Sequence, residues 1–147
     1  MENNNFITED FVGFETAKLL KDCGFEAEVK TWWDDEGNMY KASDEYPVLS
    51  NYDGKDWLGH LNFECIAPTL NMALKFIRKR YNYHIIATPE YGDVEYMPGQ
   101  WQEEFIGWKY SIIPLKSNES IMHPTVYAKT PESACEEGVK FMLNRKI

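Results

Sequence analysis

The chain has 147 residues and a formal charge of −9, and 44 % of its residues are apolar, with 15 % aromatic. This composition excludes an intrinsically disordered chain. No apolar run approaches the ~20 residues that a membrane-spanning helix requires, so we expect no membrane association. A chain of this length buries enough surface to fold without a disulfide or a metal. We therefore predict a single domain over residues 1–147, with a flexible segment at residues 1–6.

The helices are predicted from the spacing of apolar residues. In the clearest case, Leu70, Ala73 and Ile77 fall on one face of a helix and are followed by a basic last turn. The predicted helices cover residues 8–22, 69–81 and 131–145. A threonine that can cap the first turn stands at or next to the start of each one: Thr8, Thr69 and Thr130.

The strands are predicted from β-branched and aromatic residues and from period-two alternation. They cover residues 25–33, 39–41, 83–88, 105–115 and 124–129, with one more short strand around 61–66. We expect Pro89 to end its strand and Gly107 to mark a bulge. The rest of residues 42–66 is predicted to be a long loop, and residues 90–100 to be rich in turns. This order predicts the α+β class, with a mainly antiparallel sheet packed by about three helices.

The negative charge is concentrated at the start of the chain. Residues 1–60 hold 14 acidic and 5 basic side chains, residues 61–90 hold 2 and 4, and residues 91–147 hold 8 and 6. The field of such a chain repels phosphate groups. We therefore expect direct nucleic-acid binding to be disfavoured and the partner to be another protein.

The cysteines indicate a reducing compartment. Cys23, Cys65 and Cys135 are odd in number and widely spaced, which is typical of a cytosolic protein with free, buried thiols. The first residues lack the basic and apolar segments of a secretory signal. We therefore expect a cytoplasmic protein.

The histidines show no motif for a metal or a catalytic site. His60, His84 and His123 are far apart and lack the spacing of zinc ligands. An enzyme with a site assembled in space from these histidines, Cys65 and a carboxylate is left open. It would require a concave pocket in which at least two of them lie within hydrogen-bond reach. From the sequence we assign no catalytic residue, no metal ligand and no cofactor.

An acidic segment at residues 34–38, Asp-Asp-Glu-Gly-Asn, resembles the start of a cation-binding loop. A calcium loop also needs further oxygen ligands at alternate positions and a bidentate glutamate. Tyr40 and Ala42 stand where such ligands are needed. We therefore interpret the segment as a solvated acidic turn.

Three segments carry a resemblance to other proteins: the helix ending in Cys23-Gly24-Phe25, the run from Pro68 to Arg78, and Thr130-Pro-Glu-Ser-Ala134 with its closing helix. The layout resembles a group of uncharacterised small proteins encoded by phages and mobile elements of gut anaerobic bacteria. The resemblance covers about a third of the chain, mostly capping and core positions. It implies an origin and adds no catalytic residue, because no activity is known for that group.

These observations favour a non-enzymatic, phage-type accessory protein that binds another protein through an acidic and aromatic surface. Aromatic residues dominate the anchors of protein interfaces. The candidate contact residues are Trp32, Trp33, Trp57 and Trp101. Two alternatives are a polyanion mimic that occupies a nucleic-acid-binding site and a small enzyme with a spatially assembled site. An open antiparallel sheet would also leave an edge through which a homodimer could form.

Overall fold

The computed structural model describes residues 9–43, 45, 48–116 and 127–145. The chain divides into two compact units, Met1–Ala73 and Leu74–Ile147, called the first and second unit below. Helices and antiparallel strands occur in both, and the predicted α+β class is confirmed. The described strands form two sheets, where the sequence predicted one. The single domain stays a prediction, and the segment at residues 1–6 lies outside the described residues.

The described part of the chain contains four α-helices, one 3₁₀ turn and five strands. In chain order they are α1 (Phe14–Asp22), β1 (Thr31–Asp34), β2 (Met39–Lys41), α2 (Gly54–Leu58), the 3₁₀ turn (Gly59–Leu61), β3 (Phe63–Ile66), α3 (Leu70–Tyr81), β4 (Tyr83–Met97), β5 (Gln100–Pro114) and α4 (Pro131–Asn144). None of these helices has the length and apolar character that a membrane crossing would need.

Two of the three predicted helices are observed with their predicted caps. The Thr69 hydroxyl accepts a hydrogen bond from the Met72 N–H at 3.2 Å, at the start of α3. The Thr130 hydroxyl accepts one from the Ser133 N–H at 3.0 Å, at the start of α4. Each hydroxyl satisfies an N–H group that the first helical turn leaves without a backbone partner. Thr8, the third predicted cap, lies outside the described residues.

Helix α1 begins at Phe14, which is later than the predicted start at residue 8. The residues before it are extended because their backbone pairs with the segment that leads into α3. The Val12 N–H donates to the Pro68 carbonyl at 3.0 Å, and the Leu70 N–H donates to the Asp10 carbonyl at 2.7 Å. The apolar spacing of this segment also fits a helix, so periodicity could not reveal the pairing.

The first unit holds a three-stranded antiparallel sheet in the order β2-β1-β3. The strand predicted at residues 25–33 starts only at Thr31. Before it, Val29 forms an isolated antiparallel bridge with Leu49, and the Asn51 side chain donates from Nδ2 to the Phe25 carbonyl at 3.0 Å and accepts at Oδ1 from the Ile66 N–H at 2.9 Å. These backbone groups are therefore satisfied without a regular ladder.

The segment predicted as a long loop contains more regular structure than expected. It includes α2 and the 3₁₀ turn, and the short strand expected around 61–66 is observed as β3. Gly54 begins α2 next to the ring of Phe63, where a Cβ atom at Gly54 would lie 2.2 Å from the ring. Close packing of backbone on an aromatic ring therefore fixes α2 on β3.

The acidic segment forms the turn between β1 and β2. One oxygen of Asp34 accepts hydrogen bonds from the backbone N–H groups of Glu36 and Asn38, both at 2.9 Å, and the other oxygen accepts from the Asn38 amide at 3.3 Å. The bond from the Asn38 backbone is the main reason why the pKa of Asp34 is lowered. Among the described residues, no group of His, Cys, Asp or Glu side chains could hold a metal ion.

We predict that Asp34 stabilises the fold in a pH-dependent way. Because the native pKa lies below the ordinary value of 3.8, the stabilisation is complete above that value and is lost as the pH falls through the native pKa. Asp34→Asn should therefore lower the urea midpoint at about pH 6, and it should lower that midpoint much less at about pH 2.5. Asp35→Asn, which changes the exposed neighbouring carboxylate, is the control. An equal loss at both pH values would contradict the prediction.

In the second unit, β4 and β5 form one long antiparallel hairpin, and α4 packs on one face of its base. Ile85 pairs with Ile112 at the centre of this base. Gly138 of α4 lies so close that a Cβ atom there would be 2.7 Å from the Ile85 Cγ2 and 3.2 Å from Tyr110. The base of the hairpin therefore has a covered face.

Pro89 does not end its strand, contrary to the prediction, and β4 continues to Met97. Pro89 stands opposite Trp108, whose N–H and carbonyl are both bonded to Ala128 on the other side of β5, at 2.9 and 2.8 Å. Pro89 and Trp108 therefore form a pair without mutual hydrogen bonds, and the missing N–H of Pro89 faces the outer edge. Proline is tolerated at such an edge position.

The bulge predicted at Gly107 is confirmed. Glu90 pairs with Gly107 but Tyr91 pairs with Phe105, so Ile106 is the extra residue in β5. At the tip, Pro98 and Gly99 connect the strands, and Gly99 has a φ of +78°. This combination is typical of a type II turn, in which only the second central residue needs positive φ.

The strand predicted at residues 124–129 is described only in part. Ala128 forms an isolated bridge with Trp108, and residues 124–126 lie outside the described residues. A Cβ atom at Gly107 would meet Tyr127 at 2.8 Å. The absence of a side chain at Gly107 therefore allows this segment to lie against β5.

Candidate functional site

The outer part of the β4–β5 hairpin exposes many large apolar side chains. We call residues 91–106 the distal hairpin. Its exposed large apolar residues are Tyr91, Val94, Tyr96, Met97, Trp101, Phe105 and Ile106. Soluble proteins expose single apolar residues routinely, so it matters which of these side chains lie on the same face of the hairpin.

Strand register assigns the side chains of the distal hairpin to two faces. Three directly opposed pairs fall on one face: Tyr91 with Phe105, Asp93 with Glu103, and Glu95 with Trp101. Paired residues share a face, and alternate residues along a strand return to it. We call these six residues the aromatic face. The opposite face includes Gly92, where a Cβ atom would lie 2.4 Å from the Ile106 side chain.

Ring contacts join the aromatic face to the base of the hairpin. The Tyr91 and Phe105 rings are 5.8 Å apart, and the Phe105 and Trp108 rings are 5.9 Å apart, both edge to face. Trp101, Tyr91 and Phe105 are 61 %, 56 % and 49 % exposed. Three aromatic side chains at about half exposure present on the order of 300 Å² of accessible surface. This area is comparable to the largest apolar patch of a typical soluble monomer, which is often functional, so the aromatic face is a candidate contact site.

The distal hairpin is also strongly acidic. Residues 89–106 contain five carboxylates and no lysine, arginine or histidine. The nearest cation along β5, Lys109, forms an ion pair with Glu90 at 3.0 Å, next to the base. The field around the aromatic face is therefore negative, and it favours a positively charged partner.

Hydrogen bonds within the tip hold its shape. The Glu95 carboxylate accepts from the Gly99 N–H at 2.9 Å, and the Tyr96 hydroxyl is bonded to the Gln100 side chain at 2.9 Å. These contacts fix the turn that follows β4 and hence the place at which Trp101 enters β5. The turn is therefore held in one conformation, which lowers the entropic cost of binding at the tip.

Among the described residues of the second unit, the distal hairpin is part of a two-stranded sheet, and its aromatic side chains are exposed. A two-stranded ribbon without a covering layer is marginally stable in water. At the base, α4 supplies that layer through contacts such as the one between Tyr110 and Phe141, whose rings are 6.4 Å apart. A partner on the aromatic face would extend this layer outward and bury rings that now contact water.

Of the predicted contact residues, Trp32 belongs to the core. It is 3 % exposed, its ring is stacked on Tyr40 with centroids 4.9 Å apart, and it lies 6.0 Å from the Phe63 ring. The alternation of β1 directs Trp32 inward. We therefore remove Trp32 from the candidate contact surface.

The other three predicted contact residues differ in exposure. Trp33 is half-buried with its ring 5.6 Å from Phe14, and its Nε1 is buried without a hydrogen-bond partner among the described residues. Trp57, on α2 in the first unit, is 44 % exposed. Trp101, on β5 in the second unit, is the most exposed tryptophan. Only Trp101 lies on the aromatic face.

Sequence reasoning missed Tyr91 and Phe105 as contact residues. Residues 90–100 were predicted to be turns because of Gly92, Pro98 and Gly99, so the extension of β4 was not expected. One signal was present in the sequence. Residues 91–97 and residues 101–106 each contain three aromatic or β-branched residues, and the two runs stand on either side of Pro98-Gly99. Two such runs around a Pro-Gly turn are consistent with a hairpin.

The groups proposed for a spatially assembled enzyme site are placed as follows. Cys65 is fully buried, and burial raises its pKa to about 12, so its thiol stays protonated at neutral pH. His60 is exposed on the 3₁₀ turn. His84 lies on β4 in the second unit, with its Nδ1 buried and without a hydrogen-bond partner among the described residues. His123 lies outside the described residues. These positions give no support to Cys65 as a nucleophile.

Comparison of the chain with family models, with curated proteins and with solved structures gave no match.

Proposed function

We propose that this chain is a non-enzymatic accessory protein that binds another protein through the aromatic face of the distal hairpin. The observation that carries the proposal is the exposure of Tyr91, Trp101 and Phe105 on one face of an acidic ribbon. Tryptophan and tyrosine are enriched among the anchor residues of protein interfaces. A cytoplasmic location and a phage or mobile-element origin are part of the proposal.

The acidic charge supports a second candidate function, the polyanion mimic. A mimic needs a regular series of carboxylates, and alternate residues on one face of a strand are about 7 Å apart. Asp93 and Glu95 are spaced in this way on β4, but the only carboxylate that β5 places on this face is Glu103, which has an aromatic residue on either side of it. The mixture of rings and carboxylates favours a protein-contact surface with an apolar centre.

The test compares the whole chain with two single variants as baits in an extract of the cells that encode it. Trp101→Ala removes an exposed ring from the aromatic face, and Tyr52→Ala removes a ring that is 88 % exposed in the first unit. We expect the wild type and Tyr52→Ala to retain the same protein and Trp101→Ala to lose it. Equal retention by all three baits would contradict the proposal.

Salt separates the two candidate functions. Charges at a surface are screened over about 3 Å at 1 M salt, whereas apolar contacts persist. Retention of the partner at about 1 M salt would therefore support the aromatic face as the anchor. Loss of the partner at high salt, with equal binding by the wild type and Trp101→Ala at low salt, would favour the polyanion mimic.

A further inference from the structure

We infer that the aromatic face binds an extended, arginine-bearing segment of the partner protein. This inference rests on the proposed function and adds the chemistry of the partner. It follows from the order in which rings and carboxylates stand along the hairpin, from the charge of the distal hairpin, and from the exposure of the face.

The aromatic face consists of three ranks across the two strands. Tyr91 and Phe105 form the first rank, Asp93 and Glu103 the second, and Glu95 with Trp101 the third. Successive ranks are about 7 Å apart, which is twice the rise per residue of a strand. The carboxylate pair therefore has an aromatic rank on one side and an indole ring on the other.

The carboxylate pair in the second rank favours a cation next to it. Directly opposed residues on one face have Cβ atoms about 4.5–5.5 Å apart, and like charges at that distance destabilise the strand pair. The structure shows ion pairs between Lys109 and Glu90 and between Lys140 and Glu137, and neither involves Asp93 or Glu103. A cation supplied by a partner would relieve this repulsion.

The rings on either side favour arginine over lysine. A guanidinium group is planar, donates parallel hydrogen bonds to carboxylates and stacks on aromatic faces. An ammonium group is a compact, strongly hydrated point charge that gains less from a neighbouring ring. With Trp101 and Phe105 on either side of Glu103 along β5, the site offers both kinds of contact to a guanidinium.

The shape and charge of the surface favour an extended segment. Side chains on one face of an extended segment are about 7 Å apart, which is also the distance between successive ranks. A segment with arginine at alternate positions could place one guanidinium on the carboxylates of the second rank and others against the rings of the first and third ranks. A second copy of this chain is a poorer occupant, because its formal charge is −9 and the same acidic face would meet itself.

The experiment measures the binding of two labelled peptides to the whole chain by fluorescence anisotropy at physiological ionic strength. The probes are four repeats of Arg-Thr and four repeats of Lys-Thr, each with blocked ends. We expect the arginine peptide to bind about tenfold more tightly than the lysine peptide. We also expect Asp93→Asn combined with Glu103→Gln to weaken the arginine peptide by about tenfold or more.

The control removes the same amount of charge elsewhere. The control is the double variant Glu104→Gln with Glu28→Gln. Glu104 lies in the distal hairpin but outside the aromatic face, Glu28 lies in the first unit, and both side chains are exposed. This pair should weaken the arginine peptide less than about threefold, since it changes only the long-range field. Equal weakening by both double variants, or equal affinity for the two peptides, would overturn the inference in favour of diffuse charge attraction.

Two further outcomes separate this inference from the proposed function. If no peptide binds while Trp101→Ala still loses the cellular partner, the partner chemistry is wrong and the contact surface stands. If no peptide binds and Trp101→Ala keeps the cellular partner, both this inference and the proposed function are wrong. Sedimentation equilibrium tests the remaining occupant, because a dimer that Trp101→Ala converts to a monomer would assign the face to a second copy and overturn the inference.

Discussion

Replacing Trp32 with alanine is expected to lower the free energy of unfolding by about 3–5 kcal/mol, the usual cost of removing a large buried aromatic side chain. Trp32 is 3 % exposed and contacts the rings of Tyr40 and Phe63 on either side of β1 in the first unit. Its removal would leave a cavity between the three strands of this sheet. Urea unfolding followed by circular dichroism measures this loss.

The matched control is Trp101→Ala, which removes the same side chain from a surface position. Because Trp101 is 61 % exposed, its replacement should change the free energy of unfolding by less than about 0.5 kcal/mol. Trp32→Ala should therefore lose stability, whereas Trp101→Ala should lose partner binding and keep its stability. A small stability loss for Trp32→Ala would contradict its assignment to the core.

The sequence predicted helices best where the cap and the apolar stripe agreed. The Thr69 and Thr130 caps are local signals, and α3 and α4 begin where these signals stand. The start of α1 could not be predicted in the same way, because residues 10–12 pair with a segment about 58 residues further along the chain. Pairing at that separation depends on tertiary structure and leaves no trace in local periodicity.

The candidate site was the part that the sequence predicted least. The four tryptophans that were predicted as contact residues were chosen by residue type, and residue type alone cannot distinguish Trp32 from Trp101. The distinction depends on the face of each strand and on what covers it. The register of β4 and β5 brings Tyr91 and Asp93 opposite Phe105 and Glu103 across a turn that was not predicted to close a hairpin.

Pro89 shows why the hairpin was underestimated. A proline usually argues against a central strand, because it removes a hydrogen bond from the ladder. In β4 it stands in a pair without mutual hydrogen bonds and faces the outer edge, so nothing is lost within the hairpin. The same proline removes a donor from that edge and so hinders strand addition there. This placement favours binding on the face of the ribbon over binding along that edge.

The second large effect is expected at Gly138, where α4 meets the base of the hairpin. A Cβ atom at this position would lie 2.7 Å from the Ile85 Cγ2, a distance that requires a shift of packed atoms. Gly138→Ala should therefore destabilise the fold by about 1–3 kcal/mol through overpacking. This sign is opposite to the gain of about 1 kcal/mol that the same replacement gives in an unhindered helix.

A double-mutant cycle tests the cause of this effect. Ile85→Leu removes the Cγ2 methyl while keeping the side-chain volume, and alone it should cost less than about 1.5 kcal/mol. If contact with this methyl opposes the new Cβ, the double variant Gly138→Ala/Ile85→Leu should lose less stability than the sum of the two single losses. Additive losses would show that the new Cβ atom is opposed mainly by Tyr110, which lies 3.2 Å from the same Cβ position. A stabilised Gly138→Ala variant would contradict the close packing of α4 on the hairpin base.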